Sequence, residues 1–402
     1  MKKVINISVA SGKVIAPPSK SYAHRILICA ALTNQKCVVN NIELSNDIVA
    51  TLNALNALGY STLYNEQNKQ VEISYNGKQT DCYNCLESGS TLRFMIPIVL
   101  AKKGYGTFAG TERLMERGLE VYEDIFKEDN ISVEKTPKSI TVKGHLKPKT
   151  YVVKGNVSSQ FISGLLFSLP LLEGDSIIKI VPPVESIDYV KITIDVLRMF
   201  AIEIEEDFEH NQIKIKGNQV YQQRDVTVEG DYSNAAFLDA FNYLGGNVLV
   251  NGLNSNSLQG DKAYLSYFKI LKSESMPLID ISNTIDLGPI LFVMASLLNG
   301  ARFTGIKRLR IKESDRVKCV CDELSKFGVK YEILENECTI YKSELHKSNI
   351  SILSHNDHRL TMAFTVMLTK FGGVIEGVQA VNKSYPNFFE VIKELGVDVQ
   401  DE

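Results

Sequence analysis

Apolar residues along the chain change spacing in a recurring way. In Ile48 to Tyr64 (IVATLNALNALGYSTLY) they recur at helical intervals, a tight turn follows, and then they alternate. The same switch from a 3.6-residue to a 2-residue period occurs in Leu119 to Lys135, Val190 to Glu206, Val320 to Leu334 and Phe388 to Gln400, with a weaker copy at Ser266 to Ile279. It is the signature of an amphipathic helix running into a half-buried strand. The copies recur roughly every 55 to 70 residues, too long for a solenoid unit and right for a small repeated α/β fold. Turn-bounded alternating stretches such as VEISYNG, SITVKGHL, SIIKIVPP, VTVEGDY and GNVLVNG lie between them and predict further strands. Helices and strands therefore alternate, in an α/β or α+β class. Three repeats are expected in each of two domains, with the change after the polar stretch GNQVYQQRD, near Tyr221 to Val228.

A second set of helices is predicted with apolar residues on all sides, and polar residues gather at their starts. In Ile15 to Arg25 (IAPPSKSYAHR), Pro17 and Pro18 stop a strand, and Ser19 or Ser21 can cap a helix carrying Lys20 and Arg25 in its first turns. Free backbone N–H groups and the helix dipole favour an anion there. Gly89, Ser90, Thr91 and Arg93 open the next such helix, and Arg113 and Arg117 follow in RLMERG. Ser158, Ser159 and Gln160 open a third, and Ser186 and Tyr189 stand at another helix start. Neutral hydroxyl and amide groups in such places suit a phosphate ester or sugar-like hydroxyls. In the second half, VEGDYSNAAF and NTIDLGP each put an aspartate beside a helix start, the latter Asp286. RIKESDR packs Arg310, Lys312, Glu313, Asp315 and Arg316 into seven residues. Asp357, His358 and Arg359 precede another apolar helix, and Lys383 precedes Pro386. Each cluster alone is also what a capped helix with solvated charges looks like. Taken together they deliver many cations to helix starts, a self-repelling set that a multiply charged anion would relieve.

Composition narrows the field. The 402 residues are 44% hydrophobic and 23% charged with a net charge of −3, an ordinary globular balance that excludes a broad nucleic-acid footprint. No signal-peptide pattern or membrane-length apolar run is present, so the cytoplasm is the expected location. The seven cysteines are scattered; Cys82 and Cys85 form a CxxC, with no second pair or spaced histidines to complete a zinc site. A metal or redox role for these cysteines is not expected.

In order and spacing, the segments PPSKSYAHR, SGSTLR, RLMERG, VSSQF, VEGDYSNAAF, NSLQGD, IDLGP, RIKESDR, NDHR and KSYPNFF closely resemble the 5-enolpyruvylshikimate-3-phosphate synthase family of enolpyruvyl transferases, essentially end to end. The resemblance implies two globular domains of the inside-out α/β barrel type, each three copies of a βαβαββ unit, with a ligand cleft between them. Residues 1–17 plus 228–402 would form one domain and residues 18–227 the other. It also implies transfer of the enolpyruvyl group of phosphoenolpyruvate to the 5-hydroxyl of shikimate 3-phosphate, by addition and elimination through a tetrahedral intermediate, without metal or organic cofactor.

By matching motif, Lys20, Ser21, Arg25, Ser158, Ser159, Gln160, Ser186, Tyr189, Asp286 and Lys312 would bind shikimate 3-phosphate. Lys20, Gly89, Arg117, Gln160, Arg316, Arg359 and Lys383 would bind phosphoenolpyruvate. Asp286 is the favoured base toward the hydroxyl, and Glu313 with Lys20 would act at the methylene carbon. Lys383 and His358 are further candidates for proton transfer. A monomer acting on small molecules, with no nucleic-acid or membrane partner, is expected. The chain departs from the family pattern at Glu87, Ser90, Gly118 and Asn234, where Asn, Thr, Pro and Ser are common or frequent. The alternatives are the related UDP-N-acetylglucosamine enolpyruvyltransferase, whose reactive-cysteine loop is not found here, and a catalytically silent phosphometabolite-binding protein.

Overall fold

The computed structural model describes residues 1–402. The chain divides into two compact units, one formed by Met1–Pro17 with Gly230–Glu402 and the other by Pro18–Glu229. The chain thus passes between units at Pro17–Pro18 and at Glu229–Gly230.

The Pro18–Glu229 unit contains α1 (Lys20–Leu32), α2 (Asn46–Ala57), α3 (Gly89–Lys102), α4 (Glu112–Glu116), α5 (Glu120–Glu128), α6 (Ser159–Ser168) and α7 (Ile187–Met199). From Tyr22 to Leu32 every residue of α1 is buried, as is nearly all of α3 and α6. These helices form the centre, with α2 and α7 beside them: α1 packs on α2 and α7, α3 on α2 and α6, and α6 on α7. Three four-stranded sheets belong to this unit. In one, Cys82–Asn84 pairs parallel with Tyr105–Ala109, which pairs antiparallel with Ser139–Lys143, and that strand closes a hairpin with Ser132–Thr136. With α3 and α5 between its strands, this is a complete βαβαββ repeat. Thr150–Lys154, buried at alternate positions, begins the next. Val226–Thr227, at the end of the unit, pairs parallel with Cys37–Asn40 and completes the first repeat.

The other unit contains α8 (Tyr232–Ala240), α9 (Tyr264–Ser273), α10 (Gly288–Leu297), α11 (Arg316–Ser325), α12 (His358–Phe371) and α13 (Phe388–Glu394). Here α8, α10 and α12 pack on one another, and all ten residues of α10 (GPILFVMASL) are buried. Ile and Val inside α10 cost at most about 0.7 kcal/mol each in helix propensity, whereas burying each side chain contributes about 1.5–3 kcal/mol. Burial, not propensity, fixes this helix. The N-terminal strand Lys2–Ile5 lies between Gly373–Glu376 and Val399–Asp401 and completes the last repeat.

One expected repeat is reduced. Ser11–Ile15 pairs parallel with Asn247–Asn251 in a sheet of two strands only. After α9 the chain runs directly into Leu278–Asp280, which pairs parallel with Ala301–Thr304 and so opens the following repeat. The strand read at the end of the weak Ser266–Ile279 copy therefore does not close its own unit. The physical reason is length: only Glu274 to Pro277 separate α9 from that strand, too few for an antiparallel pair.

Candidate active site

In the Pro18–Glu229 unit the polar residues meet at the starts of the buried helices. Ser19 caps α1, its side chain accepting from the Tyr22 N–H. Lys20 follows and is held by Asp47, in the first turn of α2, with Nζ 2.6 Å from Oδ2. Asp47 carried no sequence signal, because its pairing depends on α1 and α2 being neighbours. Ser158 caps α6, and Ser159 is buried beside it. Gln160 links two helices: its Oε1 accepts from Arg93 Nη1 at 2.7 Å and its Nε2 donates to Ser90 Oγ at 2.9 Å. Ser90 thus supplies the acceptor that holds Gln160.

Arg93 Nη2 also donates to the carbonyls of Arg117 and Gly118, at 2.9 and 3.2 Å. Arg93, placed by the sequence only in the first turn of α3, is therefore what ties the RLMERG turn to α3 and α6. A Cβ on Gly89 would lie 2.9 Å from Arg93 Nη1 and 3.0 Å from Arg117 Nη1, so the guanidinium groups approach the backbone closely there. Gly118 has φ +73°, a left-handed conformation that proline cannot adopt, which accounts for glycine at that departure.

Arg25 is bound into its own unit by several hydrogen bonds. It is 3% exposed, and its Nε donates to Thr193 Oγ1, Nη1 to the Ser21 carbonyl, and Nη2 to the Tyr189 carbonyl and Ser163 Oγ. Burial pushes its pKa down to about 10. Most of its donors go to α1, α6 and α7, so it anchors Ser21 and Tyr189 from beneath. Ser186, just before α7, takes a left-handed φ of 54°, a costly backbone for serine.

The other unit concentrates charge. Asp286 lies in a single 3₁₀ turn, Ile285–Leu287, before α10. Its Oδ1 faces Arg316 Nη1 at 2.9 Å and Lys312 Nζ at 3.3 Å, and its Oδ2 faces Arg359 Nη2 at 3.2 Å. Arg316 is a hub. It also donates from Nη2 to Glu313 Oε2 at 2.8 Å and from Nε to Asp357 Oδ2 at 2.8 Å, while 1% exposed. Burial pulls its pKa down, but Asp357, Glu313 and Asp286 together hold it well above the usual value. Asp357 is fully buried: it caps α12 through the Arg359 N–H and accepts from Ser314 Oγ at 3.1 Å. His358 is buried, its Nδ1 4.0 Å from Asp357 Oδ1. Lys383 Nζ donates to the Asn356 carbonyl at 2.6 Å. Asn234 is buried at the start of α8, where its N–H completes the Asp231 cap at 2.8 Å.

Asp261 was not assigned a role from the sequence, although it ends the NSLQGD segment. It is 4% exposed and accepts from Ser233 Oγ. Burial and the neighbouring Asp286 raise its pKa to about 6, against the attraction of Arg359 and the Ser233 bond. A raised carboxyl pKa stabilises the fold fully below the unfolded value near 3.8, and that contribution is lost as pH rises through about 6. Asp261→Asn should therefore raise the melting temperature at pH 8, by up to about 3 kcal/mol of stability, and give little gain at pH 4. Thermal unfolding of both proteins across pH 4–8 measures this.

No group of three or more His, Cys, Asp or Glu side chains is arranged to hold a metal ion. All seven cysteines are free, with Cys82 exposed and Cys85 buried. No helix is long and apolar enough to cross a membrane.

Solved structures share this architecture. EPSP synthase from Acinetobacter baumannii superposes with a TM-score of 0.78 at 21% identity, covering 100% of both chains. The enolpyruvyl transferase NikO from Streptomyces tendae superposes at 0.79 with 12% identity, covering 99% of this chain and 98% of its own. The fold is thus that of the enolpyruvyl transferases. Sequence narrows this further: the family model for EPSP synthase (3-phosphoshikimate 1-carboxyvinyltransferase) matches residues 5–392, and the chain belongs to that family. Among relatives named 3-phosphoshikimate 1-carboxyvinyltransferase, that of Clostridium acetobutylicum is 40% identical over 420 residues and that of Clostridium kluyveri 38% over 423. Each comparison covers 99% of this chain and 98% of the relative.

Proposed function

We propose that the protein transfers the enolpyruvyl group of phosphoenolpyruvate to the 5-hydroxyl of shikimate 3-phosphate and releases phosphate, as a cytoplasmic monomer. The observation that carries this reading is the convergence of Lys312, Arg316 and Arg359 on Asp286, in a chain that matches the family along nearly its whole length. The reaction protonates the methylene carbon of phosphoenolpyruvate and adds the hydroxyl to the adjacent carbon. The tetrahedral intermediate then loses a methyl proton and phosphate. One group must give and take a proton at carbon, and another must take the hydroxyl proton.

In this reading Asp286 accepts the hydroxyl proton, and Glu313 with Lys20 serves the methylene, with Lys383 and His358 as the other candidates. Lys20, Ser21, Arg25, Ser158, Ser159, Gln160, Ser186, Tyr189, Asp286 and Lys312 hold shikimate 3-phosphate, with Arg25 also fixing Ser21 and Tyr189. Lys20, Gly89, Arg117, Gln160, Arg316, Arg359 and Lys383 hold phosphoenolpyruvate. Its carboxylate and phosphate are the chemical equivalents of the carboxylates that Arg316 and Arg359 already engage, so binding exchanges partners rather than exposing bare cations.

The test supplies purified protein with phosphoenolpyruvate and either shikimate 3-phosphate or UDP-N-acetylglucosamine, following phosphate release and product mass. Phosphate and an enolpyruvyl ether are expected with shikimate 3-phosphate alone. Turnover with the sugar nucleotide alone would overturn the reading.

A further inference from the structure

Glu323 has no part in the roles above, yet it is 2% exposed and its carboxylate is taken up by three donors. Oε1 accepts from His355 Nε2 at 2.9 Å, and Oε2 accepts from Lys326 Nζ at 2.6 Å and from the Leu353 N–H at 2.9 Å. Lys326 also donates to the Ser351 carbonyl at 3.0 Å. Glu323 stands on α11 two turns beyond Arg316, so one helix carries both the charge hub and this grip.

The gripped segment leads straight into the site. Asn356 offers its carbonyl to Lys383, Asp357 receives Arg316 and caps α12, and Arg359 reaches Asp286. The turn is also costly. His355 and Asn356 have φ of 51° and 54°, two successive left-handed residues without a glycine, which persist only when the surroundings hold them.

We propose that Glu323 is a positioning residue of the reaction: through His355 and the Leu353 amide it fixes the 353–357 turn, and thereby the Asp357, Arg359 and Asn356–Lys383 contacts that phosphoenolpyruvate requires. The proposal rests on the function stated above. Hydrogen bonds that His355 donates to Cys319 and Glu323 raise its pKa to about 9 against its burial, so the grip is an ion pair at neutral pH. The titratable and charged groups around His355 are Cys319 and Glu323 on α11, Lys326 beyond Glu323, Asp357 two residues along the turn, and Lys383, which reaches the Asn356 carbonyl from the end of the segment Val378–Lys383. A raised histidine pKa gives stabilisation that is full below about 6.5 and lost as pH rises through about 9.

The experiment measures steady-state rates for the wild type, Glu323→Gln, Glu323→Asp and His355→Gln from pH 6.5 to 9.5, with thermal unfolding and amide hydrogen exchange over residues 353–359. Glu323→Gln should raise KM for phosphoenolpyruvate about tenfold, short of the roughly 100-fold that a 1 Å misplacement can cost, with KM for shikimate 3-phosphate nearly unchanged. Glu323→Asp should recover part of this. His355→Gln, at a side chain 27% exposed and so tolerant of change, should show the same split and lack the wild-type rise in KM near pH 9. A fall in melting temperature with both KM values unchanged, or equal rises in both, would overturn the proposal. Should Glu323→Gln not fold, the His355→Gln split decides. An inactive wild type would refute the function but not the grip, which faster exchange at 353–359 in the variants would still support and unchanged exchange would refute.

Discussion

Asp286→Ala is expected to lower kcat about 1,000-fold while moving KM for shikimate 3-phosphate less than about tenfold. A positioned base contributes about 10²–10⁴ in rate, and its loss falls on the transition state rather than on the bound substrate. The three cations around Asp286 complicate a simple deletion, because alanine leaves Lys312, Arg316 and Arg359 without a shared anion. Asp286→Asn keeps the shape and a hydrogen-bonding oxygen but cannot take a proton. The two variants should lose kcat to a similar degree, with alanine the less stable. Equal losses in kcat and binding would show that Asp286 serves to hold the substrate. Steady-state kinetics with calorimetric binding of shikimate 3-phosphate distinguishes these outcomes.

Arg316→Met should abolish measurable turnover and cost about 3–5 kcal/mol of stability, the penalty for removing one partner of a buried ion pair. Methionine fills much of the volume but leaves Asp357, fully buried, and its neighbours Glu313 and Asp286 without their common cation. Asp357 still accepts from Ser314 Oγ and from the Arg359 N–H, so the α12 cap persists and the protein should fold. Arg316→Lys restores the charge but not the three-way fork, since an ammonium cannot present donors to three carboxylates in one plane. It should recover part of the stability and little of the activity. Chemical denaturation followed by kinetics would check both, and a Lys variant with near-normal kcat/KM would contradict the hub role.

The elements that the sequence revealed best are those whose determinants are local. The switch of period at Ile48 to Tyr64 becomes α2 followed by the strand Tyr60–Asn65, and that at Val190 to Glu206 becomes α7 followed by Ile204–Asp207. Ser19, Ser158 and Asp357 cap helices from the positions where short polar side chains precede apolar runs. The same reading misjudged the stretch after α9. An apolar strand looks alike whether it closes one repeat or opens the next, and only its pairing with Ala301–Thr304 tells them apart.

Local pattern therefore determined the helices, the strands, their repetition and the polar groups at the helix starts, because periodicity and capping act within a few residues. Tertiary structure decided what each polar group does. Arg25 is an anchor because Thr193, 168 residues away, packs beside it, and Arg316 is a hub because Asp357, 41 residues on, is buried against it. Asp47, Asp261 and Glu323 carried no signal for the same reason. A lone carboxylate in sequence is a solvated charge, and only the approach of Lys20, Asp286 or His355 gives it an energy and a role.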